Sequence, residues 1–441
     1  MTGGRRGEGR ATEARPAEAR WEERVQRAAH PVAYPAVRAL RSRPVVRIPR
    51  VGLVVNDAAI AREVLLDVGR FSKVGPGAPS DLWTPILGPS VLLNMEGAEH
   101  AALRRALGPI FSPRAVRELV EGRGRERAGR DPDATSPLAA MVARLDAGET
   151  VDLARVVAAQ AGSVICGLVG LPPTDAAVRT SIAAAQVVTG MVRLHRRRLT
   201  TSQVAYARRV LGELTAPARD AYRAGDESTV PGRMRGLGLS EREAMGAVGA
   251  FVLTGTETVQ SFVPRLLAIA YDTGWTGRLL GVEEAGSRSE VSGDDLRRRV
   301  VEEALRVTVP TPAMLRSVRA DAVVGGERVS AGDRVVIATV NCCRAAGAFD
   351  PDRPVDPDVR HLWFGAGPHF CLGMPLAMAQ VEAVLDALTP LAATGRRVVV
   401  GRRRPARGVL VPGYRGLELT LDGGHGRGRA VEHGQGRIVG L

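Results

Sequence analysis

One stretch concentrates the residue types that do chemistry: Phe364-Gly365-Ala366-Gly367-Pro368-His369-Phe370-Cys371-Leu372-Gly373-Met374-Pro375. Pro375 suits the first turn of a helix reading PLAMAQVEAVLDAL, which sets Cys371 just ahead of a helix N-terminus. Backbone N–H groups and the helix dipole favour a thiolate over a thiol there. The glycines let the backbone fold tightly beneath something flat and close. A cysteine so placed can be a nucleophile, a metal ligand or, as for most lone cysteines, an inert core residue. A dinucleotide loop is excluded by spacing, because Gly365-x-Gly367 would need a third glycine where Phe370 stands. A second stretch, Thr254-Gly255-Thr256-Glu257-Thr258, lies inside an apolar helical run. A carboxylate in such a run is costly unless it is paired or functional. The Thr258 hydroxyl both donates and accepts, as a proton relay requires, although a helical threonine can also bond back to its own helix. His100 and Arg104 share one helix face, as do Glu303 and Arg306. On their own, those two pairs also describe solvated helix surfaces.

The loop fills every position of Phe-Gly-x-Gly-x-His/Arg-x-Cys-x-Gly and resembles the haem-binding signature of the cytochrome P-450 family. Other segments resemble that family in the same order. Glu303-Ala304-Leu305-Arg306 occupies the place of its structural Glu-x-x-Arg pair. Thr254 to Thr258 resembles its Ala/Gly-Gly-x-Asp/Glu-Thr oxygen-activation motif, with Thr254 departing from the usual Ala or Gly. Glu99 to Arg105, followed by Phe111-Ser112-Pro113-Arg114, resembles its C-helix segment. A departure is Cys343-Arg344-Ala345-Ala346, where the family has Asn-Arg-Asp-Pro before Phe349.

The resemblance implies a mainly α, single-domain fold with small peripheral β-sheets. It implies haem b (iron protoporphyrin IX) between a long helix and the loop, with Phe364, Gly365 and Gly373 shaping its bed. Cys371 would be the proximal iron ligand, whose electron push favours O–O cleavage. His100, Arg104, Arg316 and His369 are the expected contacts to the haem propionates. Glu257 and Thr258 are the expected catalytic pair, and Gly255 is expected to leave a dent where dioxygen sits. Peroxide-using relatives typically carry Arg-Pro in place of that pair, so its presence implies chemistry with O2. The implied reaction inserts one oxygen atom into an organic substrate and reduces the other to water. Electrons would come from NAD(P)H through a separate ferredoxin and ferredoxin reductase, with Arg104, Arg105, Arg114 and Arg117 as candidate docking charges. Residues 75–91, 182–199, 248–254 and 308–315 would line the pocket. Ala184, Val187, Val188, Met191, Ala313 and Met314, with threonines at 308 and 311, suggest a medium-sized, largely apolar substrate of secondary metabolism. Arg193, Arg196, Arg197 and Arg198 form either a solvated face or a site for an anionic or carrier-protein-tethered substrate. A coupling or desaturating enzyme of the same fold stays open, whereas a non-catalytic haem protein would not need Glu257-Thr258.

The elements that must position these residues are legible in outline. Short β-like runs occur at Val45–Ile48, Gly52–Val55, Ala322–Val324, Arg334–Ala338, Val398–Val400 and Leu417–Leu421, and the rest is mostly at helical spacing. Ser240 with Glu243 forms a capping box ahead of an apolar run of nearly thirty residues, read as one buried helix. A second helix starts near Asp294–Asp295 and stops at Pro310. Residues 1–27 and 422–441 read as disordered basic tails around a single domain at 28–421.

Composition agrees with a globular enzyme: 441 residues, 45% hydrophobic and 24% charged. The net charge of +14 divides into +7 over residues 1–50, +7 over 395–441 and zero between them. A neutral body argues against a specific nucleic-acid groove. Lys73 is the only lysine among 61 basic residues, which reads as codon bias from a GC-rich genome. Four cysteines, none in C-x-x-C spacing, do not make a disulfide framework. With no signal peptide or membrane anchor at the N-terminus, the sequence reads as cytoplasmic.

Overall fold

The helical spacing and turn residues produce a mostly α-helical body edged by three small sheets, seen in a computed structural model describing residues 17–130, 136–192, 198–282 and 292–423. The largest sheet runs in the order Val45–Ile48, Gly52–Val55, Arg334–Ile337, Met314–Val318, Phe71–Ser72. Its one parallel pairing joins Gly52–Val55 to Arg334–Ile337. Arg316 is fixed opposite Val335, and the edge strand Phe71–Ser72 ends one residue before Lys73. A three-stranded sheet joins Val151–Asp152, Tyr414–Asp422 and Arg397–Pro405, and a two-stranded one pairs Ala322–Val324 with Glu327–Val329. All six strand-like runs of the sequence therefore form strands. Met314–Val318 and Phe71–Ser72 escape pattern reading because one is interrupted by arginine and the other is two residues long.

Helix boundaries follow local chemistry. Ser240 and Glu243 make the reciprocal capping box. Ser292 caps the helix Gly293–Thr308. That helix ends where Val309 takes a left-handed backbone (φ 42°) ahead of Pro310, which disfavours the α region for the residue before it. Pro375 sits in the first turn of Met374–Ala393, the one helix among the described residues long and apolar enough to cross a membrane. Its Val381, Val384, Leu385 and Leu388 are buried in the core.

Two expectations need correction. The tail does not extend to residue 27, because Ala17–Ala29 is a helix that buries Val25, Gln26 and Glu22. Its Arg- and Glu-rich sequence hides the fact that Glu22 is a core residue, paired with the fully buried Arg265 and with Arg344. The single long helix after Ser240 is two helices, Glu241–Gly255 and Glu257–Asp272, interrupted at Thr256. Three threonine hydroxyls donate back to carbonyls four residues earlier: Thr254 to Ala250 (2.8 Å), Thr256 to Val252 (2.9 Å) and Thr258 to Thr254 (3.3 Å). Such back-bonding loosens and bends a helix, and Gly255 weakens it further. The break also marks where two hydrophobic cores meet. Val252 and Leu253 belong to the core built with the helices Asp175–Thr189 and Thr201–Thr215, whereas Val259 and Phe262 belong to the core behind the large sheet.

Candidate active site

The cysteine loop is held by its own backbone. Gly365 (φ 84°) and Gly367 (φ 66°) occupy the left-handed region, where a side chain would be strained. The Cys371 N–H donates to the Phe364 carbonyl at 3.0 Å, closing the loop, and the Phe364 and Phe370 rings meet at 6.1 Å. A Cβ on Gly373 would lie 3.9 Å from Cys371 Sγ, so the sulfur stands beside the start of the helix Met374–Ala393. Cys371 is partly exposed, and the other three free cysteines are buried. The thiol is nevertheless pushed up from its ordinary value, because burial outweighs the Gly373 N–H, Lys73, Arg104 and the Met374 N–H, all of which favour the thiolate. The helix start alone therefore does not make the thiolate.

Around the loop lies a rim of cationic and imidazole side chains. His100 and Arg104 lie on the helix Gly97–Leu107, and the His100 ring packs on His369 with centroids 4.2 Å apart. Arg316 is buried on Met314–Val318. Burial pushes Arg316 down to about 10, and burial together with the charges of His369, Lys73 and Arg104 pushes His100 down to about 4. His369 Nε2 meets Glu96 Oε1 at 2.5 Å. Glu96 also accepts from Ser72 Oγ (2.9 Å) and the Lys73 N–H (2.8 Å). Burial raises the Glu96 carboxyl, but these donors more than reverse it and hold the group at about 2. Burial, then the charge of Arg316, lowers the partly buried Lys73 to about 7, while Glu96 and Cys371 oppose that fall.

Two buried atoms of this rim, His369 Nδ1 and Arg316 Nε, have no hydrogen-bond partner. A cluster with one acid, three basic side chains, two imidazoles, two orphaned nitrogens and a nearby thiol suits a flat group with a dianionic edge and a thiolate-seeking metal. The expected set of His100, Arg104, Arg316 and His369 is thus brought together with Cys371. Sequence reasoning missed Glu96 and Lys73, whose only signal was a lone acid and a lone lysine with no informative spacing.

Opposite in type is the break in the threonine helix. Thr254 is exposed and Thr258 partly so, whereas Val252, Leu253, Thr256 and Val259 are buried, so one face of the break is accessible. Glu257 is largely shut away, and its Oε1 lies 2.7 Å from Thr189 Oγ1 of the helix Asp175–Thr189. Burial pushes the Glu257 carboxyl up, and the Thr189 hydrogen bond offsets that only in part. Gly255 does not leave the expected dent: a Cβ there would come within 2.5 Å of Ile165 Cδ1, so glycine is demanded by close helix packing. Thr258 does bond back to its own helix, though at a long 3.3 Å.

Glu303 and Arg306 are no surface pair. Both are buried and joined by two 2.7 Å hydrogen bonds. Arg306 also donates to the carbonyls of Cys343 (2.7 Å), Gly347 (2.9 Å) and Ala348 (2.9 Å). Glu303 accepts from the Asp350 N–H (2.8 Å) and from Arg353 (3.5 Å), a partner the sequence did not single out. The divergent Cys343-Arg344-Ala345-Ala346 segment keeps its turn because Arg344 ties it to Val307, Tyr34 and Glu22. Of the candidate docking arginines, Arg105, Arg114 and Arg117 are exposed, Arg114 pairs with Glu118, and Arg104 turns inward. Arg193, Arg196 and Arg197 lie outside the described residues, while Arg198 pairs with Asp81 at 2.7 Å.

A glycine-rich cysteine loop, a cationic rim and a threonine-broken helix within a mostly helical body fit what a haem-thiolate protein needs. Comparison with known proteins agrees. The family model described as Cytochrome P450 matches residues 295–388. The cytochrome P-450 monooxygenase DoxA of Streptomyces sp. (strain C5) is 29% identical over 370 residues, covering 76% of this chain and 80% of that protein. The erythromycin C-12 hydroxylase of Saccharopolyspora erythraea is 29% identical over 331 residues, covering 70% and 75%. A solved structure of P450BioI in complex with an acyl carrier protein ligated to hexadec-9Z-enoic acid superposes with a TM-score of 0.67 at 16% identity, over 89% of this chain and 99% of that one. The comparisons bear out the resemblance of the chain to the cytochrome P450 family and to its monooxygenases, which are oxidoreductases.

Proposed function

We propose that this protein is a tailoring hydroxylase of secondary metabolism, acting with O2 on a medium-sized, largely apolar substrate. The observation that carries this reading is the pairing of Cys371 and its cationic rim with an uncompensated Glu257-Thr258 pair at a helix break. Arg104, Arg316, His100 and His369 would hold the acidic edge of haem b, Lys73 adds charge beside them, and Cys371 would ligate its iron. When bound, haem supplies the activation of dioxygen and the transfer of one oxygen atom. Glu96 fixes the His369 ring through Nε2 and leaves the unpartnered Nδ1 free, where it would bind the cofactor's acidic edge. Thr258 presents a hydroxyl on the accessible side of the break, its weak bond to the Thr254 carbonyl leaving it free to rotate. Glu257 stores the proton that this hydroxyl passes on.

Electrons would come from NAD(P)H through a ferredoxin reductase and a small acidic ferredoxin, docking on Arg105, Arg114 and Arg117 in the cytoplasm. Two relatives act, by their names, as a monooxygenase and an erythromycin hydroxylase, and one structural neighbour is seen with a carrier protein. These support a natural-product substrate, presented free or on a carrier. The test is titration of the ferric protein with paired free and carrier-tethered acids, terpenoids and aromatics, read as a shift of the haem spectrum toward high spin. Product mass under isotopically labelled O2 then follows. A gain of one labelled oxygen supports a hydroxylase, and a loss of hydrogens alone would make it a coupling or desaturating enzyme.

A further inference from the structure

Hydrogen-bond arithmetic at Thr189 says more about Glu257 than its place in a motif. Thr189 Oγ1 lies 2.8 Å from the Ala185 carbonyl and 2.7 Å from Glu257 Oε1. A threonine hydroxyl has one proton and two lone pairs. Both partners are pure acceptors if Glu257 is ionised, so one of these short contacts would be a buried repulsion between oxygens. Both become hydrogen bonds if the carboxyl carries a proton. Thr189 is itself buried, and no cation among the described residues pairs with Glu257. Even a half-buried carboxylate is costly without a partner charge, which favours the same solution.

We propose that Glu257 is a neutral, proton-bearing acid in the resting enzyme and that Thr189 is the positioning residue that holds it. Glu257 donates to Thr189 Oγ1, and Thr189 donates to the Ala185 carbonyl. This deepens the reading of Glu257 as the acid of the oxygen-activating pair and rests on that reading for its catalytic consequence. No bond is made or broken in the resting arrangement. Thr189 holds the carboxyl by one hydrogen bond, and no cation among the described residues restrains the proton from leaving toward the accessible Thr258 hydroxyl. Thr189 is also the last residue of its helix, beside an apolar surface groove of about 490 Å³ lined by Val187, Gly190, Met191, Ser202, Gln203 and Tyr206. Displacement of that helix end would therefore be felt at the carboxyl.

The test is infrared spectroscopy of the ferric holoprotein in light and heavy water, with the Glu257 carbonyl band identified by its loss in Glu257→Gln. Thr189→Val removes the hydroxyl at nearly constant volume, and Thr189→Ser restores it. The expected result is a protonated-carboxyl band in the wild type that moves to higher frequency in Thr189→Val and returns in Thr189→Ser. Peroxide released per NAD(P)H, measured with a surrogate ferredoxin and reductase, is expected to rise several-fold in Thr189→Val alone. No carboxylic-acid band lost in Glu257→Gln, or an unmoved band in Thr189→Val, overturns the proposal. A moved band with unchanged peroxide release overturns the positioning role. The infrared arms stand without turnover, so a failure of the oxygen-activation reading itself shows separately, as normal coupling in Thr258→Ala.

Discussion

Two glutamates in this molecule, one buried and one half-buried, have opposite surroundings. Glu303 is gripped by Arg306 through two 2.7 Å bonds, by the Asp350 N–H and by Arg353. Among the described residues, Glu257 has one neutral hydroxyl as its partner. The first is a charge whose field is cancelled on every side, and its work is to knit the helix Gly293–Thr308 to the turns at Cys343–Ala348. The second is a carboxyl that burial drives toward neutrality, next to a helix break and an accessible hydroxyl. Burial alone does not distinguish structure from chemistry, whereas compensation of charge does.

The largest expected effect tests the compensated side. Arg306→Ala leaves Glu303 buried beside a lone, half-exposed Arg353, and breaking such a pair costs about 3–5 kcal/mol. The thermal midpoint should fall steeply and haem retention with it. Glu257→Gln, by contrast, should change unfolding stability by less than about 1 kcal/mol, since a neutral acid is exchanged for a neutral amide. Equal losses of stability in the two variants would erase the distinction. Next in size, Thr258→Ala should uncouple NAD(P)H oxidation from product and release peroxide several-fold faster, with the fold intact. Unchanged coupling would remove Thr258 from the mechanism.

Glu96 lies between the two cases, an acid compensated by a histidine and two neutral donors. Its carboxyl is held at about 2, below its ordinary value, so it contributes stability that is present above about pH 4.5 and lost as pH falls toward 2. Glu96→Gln should therefore lower the midpoint at neutral pH and flatten its decline across that acid window. A decline as steep as that of the wild type would place the acid sensitivity elsewhere. The smallest effect is expected at Arg198→Ala, where an exposed pair with Asp81 is worth no more than about 1 kcal/mol. Affinity for a free substrate should hold, and only a carrier-tethered one should bind more weakly. Weakened binding of free compounds would give Arg198 a direct role in the pocket.

The cysteine loop was legible because its glycines, proline, histidine and cysteine are contiguous and each answers a backbone need. The capping box at Ser240 and the stop at Pro310 were legible for the same reason. What was not legible comes from distant segments. Glu96 reaches His369 across 273 positions, and Thr189 reaches Glu257 across 68, so no spacing announces either. The helix at residues 17–29 was missed because its one decisive residue, Glu22, looks like any surface acid until Arg265 is found against it. The break at Thr256 was visible in composition, as three threonines and a glycine, but its cause lies in hydroxyl geometry. Gly255 was read for the space it leaves, whereas Ile165 fills that space.

The central claim, that Cys371 is the thiolate ligand of a haem opposite an oxygen-activating acid–alcohol pair, is tested most directly by one spectrum. The purified protein is reduced with dithionite and exposed to carbon monoxide, alongside Cys371→Ser. The wild type should show the strongly red-shifted Soret band of a thiolate-ligated ferrous haem, and the variant should lose it. A wild-type band at the position of imidazole-ligated haem, or a red-shifted band surviving in Cys371→Ser, would contradict the assignment.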